Sequence, residues 1–120
     1  MKVFLSVAFL VFLTSSGCSK KCNDTPPGIT LQNSGGSSYA VRLQITDPTG
    51  TVKNTNEFVS AGASSNELTV AKGTSTYTVT INKNGQYEYI SRDYVFESCK
   101  RYTVNVYADR NVNQVNIAVK

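Results

Sequence analysis

Over residues 39–45 the side chains fall into two alternating sets. Tyr39, Val41, Leu43 and Ile45 form one; Ala40, Arg42 and Gln44 form the other. A period of two belongs to a strand, and the contrast between the sets assigns one face to a core and the other to water. The rhythm recurs along the chain. Ile29 and Leu31 open it, Tyr77, Val79 and Ile81 alternate with Thr76, Thr78 and Thr80, and Tyr102, Val104 and Val106 repeat it. Val115, Ile117 and Val119 close it. A shorter strand is expected at residues 57–60. Between these runs lie turn-formers: residues 33–38 (NSGGSS), Asp47-Pro48-Thr49-Gly50, residues 61–66, Asn84-Gly85 and residues 109–113. Asp bonds its own backbone, Pro presets φ and Gly accepts positive φ. No stretch repeats with a helical period. The expectation is an all-β fold, a small antiparallel β-sandwich of seven to nine strands over residues 29–120, with Val41, Leu43, Tyr77, Val79, Val104 and Ile117 in its core.

Two connections carry finer expectations. Leu68 and Val70 are expected to turn at Lys72-Gly73 and return as the Tyr77 strand. Asn84-Gly85 is the strongest short hairpin signal and should send residues 86–90 back against it. The alternation then changes phase between Tyr87 and Tyr89 on one side and Tyr94 and Phe96 on the other, which predicts a bend at Ser91-Arg92-Asp93. The pattern Leu68-x-Val70-x-x-Gly73 followed by Tyr77-x-Val79 resembles hairpins of immunoglobulin-like, PEGA-like and transthyretin-like bacterial modules. That resemblance implies an immunoglobulin-like or transthyretin-like sandwich. The chain has no Trp, so the Cys…Trp…Cys core of antibody domains is absent.

The N-terminus reads as an address. Lys2 is followed by an apolar run over residues 3–13, too short for a spanning helix, and then by Thr14, Ser15, Ser16 and Gly17. Small residues at Ser15 and Gly17 would suit general signal peptidase and release a soluble protein. Ser16-Gly17-Cys18 also resembles the last three positions of a bacterial lipobox, with Ser15 where that family usually has Leu. The resemblance implies that residues 1–17 are a lipoprotein-type signal peptide and that Cys18 becomes a lipidated first residue. Residues 18–28 would then be the tether, stiffened by Pro26-Pro27. Of three cysteines, lipidation of Cys18 leaves Cys22 and Cys99 to pair, as an oxidising compartment favours. In the enterobacterial version of the family Ser19 implies outer-membrane sorting. Surface-export signals of related lipoproteins carry acidic residues after the cysteine. Lys20-Lys21 stand here instead, so the periplasmic side is expected rather than the surface. The pairing would bring Lys20 and Lys21 beside Lys100 and Arg101, four cations that could face anionic headgroups.

Composition narrows what the body can do. The chain has no His, and its single Met is Met1. A processed chain therefore lacks the commonest general base and metal ligand. With no second thiol pair near Cys22 or Cys99, zinc is not expected. No metal, no cofactor and no catalytic residue is expected. Glu88, Asp93 and Glu97 cluster in sequence and could in principle flank a glycosidic bond, but a domain of this size rarely encloses such a cleft. A net charge of +4, falling to +3 without Lys2, is too mild for nucleic acid. Tyrosine is the over-represented aromatic, seven in all. Tyr39, Tyr77 and Tyr102 keep phase with the apolar residues and belong to the core or its edge. Tyr87, Tyr89, Tyr94 and Tyr107 are the candidates for an exposed binding face. The expected function is a non-catalytic, lipid-anchored cell-envelope module for protein interaction or envelope structure. The alternative is a glycan-binding module using the tyrosine face.

Overall fold

The computed structural model describes residues 22, 24–34 and 39–120. The expectations for residues 1–17, Cys18, Ser19 and Lys20-Lys21 lie outside the described residues. Eight strands run in order: β1 (Gly28–Asn33), β2 (Ala40–Thr46), β3 (Val52–Asn54), β4 (Leu68–Thr69), β5 (Gly73–Lys83), β6 (Gln86–Phe96), β7 (Arg101–Ala108) and β8 (Asn113–Val119). They form two four-stranded sheets, ordered β4-β1-β7-β8 and β3-β2-β5-β6. This is a small all-β sandwich. One pair, β1 with β7, is parallel and the rest are antiparallel. β1 and β2 lie in different sheets, whereas the immunoglobulin constant order keeps the first two strands together.

Alternation decides which side of each strand is covered. Val41, Leu43 and Ile45 of β2 and Val79 and Ile81 of β5 are fully buried, and Tyr77 nearly so. From the other sheet come Ile29 and Leu31 of β1 and Tyr102, Val104 and Val106 of β7. Tyr39 is half-buried against this core. Ile117, an expected core residue, is also only half-buried, and Val115 is the buried residue of β8. β8 is an edge strand, so cover thins toward its C-terminal end, where Val119 is exposed. The strand expected at residues 57–60 shrinks to a single bridge, Val41 to Val59, while β3 forms just before it. Asn33 ties this crossing segment down: its buried amide donates to the carbonyls of Tyr39 and Val59 at 2.9 and 2.8 Å.

The Asn84-Gly85 hairpin forms as its chemistry requires. Both residues have positive φ, 56° and 93°, the signature of a type I′ turn, and the Gly85 amide donates to Asn82 Oδ1 at 2.8 Å. The Lys72-Gly73 turn does not make the expected hairpin. β4 pairs with β1, and β5 pairs with β2 and β6, so the chain crosses between sheets there. Gly73 has φ 120°, and a Cβ on it would lie 2.9 Å from Pro48 Cγ. The glycine lets the crossing pass under the Asp47-Pro48 turn rather than fold back on β4.

The expected bend at Ser91-Arg92-Asp93 is absent too. β6 stays in register with β5 from Lys83↔Gln86 to Gly73↔Phe96. The partners of inward Ile81, Val79 and Tyr77 are Glu88, Ile90 and Arg92, so Tyr94 and Phe96 continue one inward row. Tyr87 and Tyr89 belong to the outward row. The apparent change of phase arose because an edge strand carries charges on its inner side and aromatics on its outer side. Those inner charges close the gap to β8. Glu88 accepts from Asn113 Nδ2 at 2.6 Å, and Arg92 Nη1 donates to the Val115 carbonyl at 3.4 Å. Inward charges of this kind also protect an edge strand from pairing with another chain.

Asp47 fastens the crossing from above. Its Oδ1 accepts from Thr49 Oγ1 at 2.6 Å, the Thr49 amide at 3.0 Å and the Thr51 amide at 3.1 Å. Its Oδ2 accepts from the Ala71 amide at 3.1 Å. The Thr49 hydroxyl and then the Ala71 amide hold this carboxyl below its ordinary value. A carboxyl depressed in the folded state stabilises the fold above the unfolded value, about pH 3.9 for Asp. That contribution is lost as pH falls from there through the folded value. Asp109, held down by the Asn111 and Val112 amides, and Glu88, held down by Asn113 and Lys83, act in the same direction. The melting temperature is therefore expected to fall below about pH 4. Asp47→Asn would set an amide N–H against the Ala71 N–H. It should lower the melting temperature at pH 7 and flatten the acid limb. An acid limb as steep as that of the unaltered protein would contradict this.

Candidate binding face

The four tyrosines proposed for a binding face do not share one. Tyr94 points inward, with its ring 4.9 Å from Phe96 and 5.8 Å from Tyr102 in an edge-on contact. Tyr107 lies in the other sheet, on β7 opposite Gln114, with its hydroxyl 3.4 Å from Asp109 Oδ2. Tyr87 and Tyr89 remain together on the outward side of β6, 51% and 67% exposed.

Their neighbours follow from register. One cross-strand row runs Arg42, Thr80, Tyr89 and the next runs Ala40, Asn82, Tyr87. Phe58 joins them from the crossing segment. Val59 turns inward to bridge Val41, so the preceding side chain turns outward above the sheet. The Phe58 and Tyr87 rings lie nearly parallel, with centroids 6.0 Å apart and planes 28° apart. Arg42 Cζ sits 5.3 Å from the Phe58 centroid, within the range of a cation–π contact. Arg42, Phe58, Thr80, Tyr87 and Tyr89 line one shallow depression of about 220 Å³. The sequence reading missed Phe58 and Arg42. The available signal was the alternation of Phe58 with inward Val59. Beyond the depression the face is uncharged and hydroxyl-rich, with Thr78 bonded to Ser91 at 2.6 Å, until Thr76 meets Asp93 at 2.7 Å.

The carboxylates weighed for catalysis do not converge. Glu88 is turned to the inner rim, where Lys83 also reaches it at 3.1 Å. Asp93 faces outward to Thr76, and Glu97 is bound to Lys100 at 2.5 Å. Among the described residues no group of His, Cys, Asp or Glu is arranged to hold a metal ion, and no helix is long and apolar enough to cross a membrane.

At the far end of the sandwich Cys22 and Cys99 form a disulfide, with Cα atoms 5.0 Å apart. The Cys99 amide donates to the Thr25 carbonyl at 2.8 Å, and the Gly28 amide donates to the Lys100 carbonyl at 3.2 Å. The start of the domain is thus laced to the β6–β7 turn. Lys100 and Arg101 each face a carboxylate. Glu97 holds Lys100 and raises its pKa above the ordinary value, and Glu67 pairs with Arg101 at 2.6 Å. Asp24 pairs with Lys72 at 3.7 Å. Of the four cations expected there, the two among the described residues, Lys100 and Arg101, are each paired with a carboxylate.

These features define a disulfide-linked two-sheet β-sandwich with an aromatic outer face. No protein-family model matches the chain, and no curated protein matches it. Among solved structures it is similar to one titled a "putative cell adhesion protein" from Bacteroides ovatus. The two are 13% identical over 80% of this chain, with a TM-score of 0.49, and this chain spans 44% of that protein's length.

Proposed function

We propose that the protein is a non-catalytic interaction module of a bacterial cell envelope, held at the membrane by a lipid on Cys18. The observation that carries this reading is the Cys22–Cys99 disulfide. It uses two of the three cysteines, belongs to an oxidising compartment, and leaves Cys18 as the odd thiol within the lipobox-like stretch. It also fixes the tether to one end of the sandwich, so an anchored domain would present its outer sheet faces sideways to neighbours. Lipoprotein-type modification supplies several acyl chains, enough for stable attachment. The outer membrane, periplasmic side, is the proposed location. The full-length protein should partition with membranes and Cys18→Ala should move to the soluble fraction; a variant that stays fully with membranes would contradict the anchor. A second reading, glycan binding, is favoured by the exposed Tyr87 and Tyr89 rings and the half-buried Phe58 ring on one sheet face.

A further inference from the structure

We infer that Arg42, Phe58, Tyr87 and Tyr89 form a subsite for a carboxylate-bearing sugar, a uronate residue of an acidic glycan. The inference rests on the glycan reading and is independent of the lipid anchor. Phe58 and Tyr87 are stacked with each other, their planes 28° apart, and among the described residues Tyr89 is the most exposed of the large apolar side chains. Aromatic faces carry partial negative charge and attract the weakly positive C–H face of a pyranose. The depression is small and open to solvent, which fits one sugar ring laid on the sheet rather than a buried ligand. Thr80, between Arg42 and Tyr89, offers a hydroxyl to the same ring.

Arg42 sets the charge of the ligand. It is half-buried beneath Phe58, and among the described residues no carboxylate lies within ion-pair distance of it. The acidic groups of β6 are committed elsewhere, Glu88 to Lys83 and Asn113 on the inner rim and Asp93 to Thr76 two rows away. A guanidinium fork matches a carboxylate with two parallel bonds. Geometry selects where that carboxylate must be. Arg42 and Tyr89 occupy one cross-strand row separated by Thr80, so their backbones are two strand spacings, about 10 Å, apart. A pyranuronate carries its carboxyl equatorially, close to the plane of the ring. With the ring on the tyrosines, that carboxyl extends along the sheet surface toward Arg42.

Calorimetric titration of the mature protein with galacturonate and glucuronate oligomers, and with their methyl esters, tests the inference. The esters keep the ring and remove the charge. The acids are expected to bind at least about tenfold more tightly than the esters, the size of one charge-assisted bond. Added salt should weaken the acids and not the esters. Arg42→Gln should erase the difference between acid and ester. Tyr89→Ala, at an exposed position, should weaken both by about tenfold or more with the circular dichroism spectrum unchanged. Equal binding of acid and ester, or an acid preference that survives Arg42→Gln, would overturn the uronate inference and leave the glycan reading standing. If neither acid nor ester binds, both fall.

Discussion

Replacing Cys22 and Cys99 by serine, or reducing their bond, is expected to lower the free energy of unfolding by up to about 4.5 kcal/mol. The two residues are 77 positions apart, so the bond closes β1 to β6 into one loop and leaves β7 and β8 outside it. A crosslink over that span removes much of the freedom of the unfolded chain. The separation of 5.0 Å between Cα atoms lies within the ordinary disulfide range, so the native backbone does not have to move to accommodate it. Against a total of about 5–15 kcal/mol for a domain of this kind, the share is large. Without the bond, backbone contacts such as Gly28 to Lys100 remain to hold the tether to the β6–β7 turn. Urea unfolding with and without reductant should show the midpoint falling steeply; a midpoint that does not move would rule out a stabilising role.

Phe96→Ala is expected to cost about 3–5 kcal/mol. Phe96 is fully buried and is the largest such side chain among the described residues. It lies at the end of β6, 4.9 Å from both Tyr94 and Tyr102, with the Tyr102 ring edge-on to it. Removing the ring leaves a cavity that two strand ends cannot close without losing their own partners. One of those partners is the bond from the Glu97 amide to Tyr102 Oη at 2.8 Å, which spans the β6–β7 turn. Phe96→Leu refills most of the volume and should cost far less. Thermal or urea unfolding separates the cases, and equal stability of the two variants would contradict the account of this cluster.

Much of the fold was legible because its strands are amphipathic. Where one face is buried and the other wet, as on β2 and β5, alternation alone names the inward residues, and Val41, Leu43, Tyr77 and Val79 are where it puts them. Asn84-Gly85 was legible because its conformation is local. Edge strands were not. On β6 the inner row holds Glu88 and Arg92 and the outer row holds Tyr87 and Tyr89, so polarity inverts and the pattern misleads. The Gly73 crossing was illegible because the obstruction that demands glycine is Pro48, distant in sequence. The binding face was half legible. Two of four tyrosines belong to it; Arg42 joins them through the β2–β5–β6 register, and Phe58 through the Val41–Val59 bridge, both tertiary pairings.

The cysteines hold the central claim together, and mass spectrometry of the mature protein digested without reductant tests it most directly. The predicted result is an N-terminal peptide that begins at Cys18 and carries lipid, together with a separate peptide pair joined through Cys22 and Cys99. An unmodified Cys18, or a disulfide that includes it, would contradict the account.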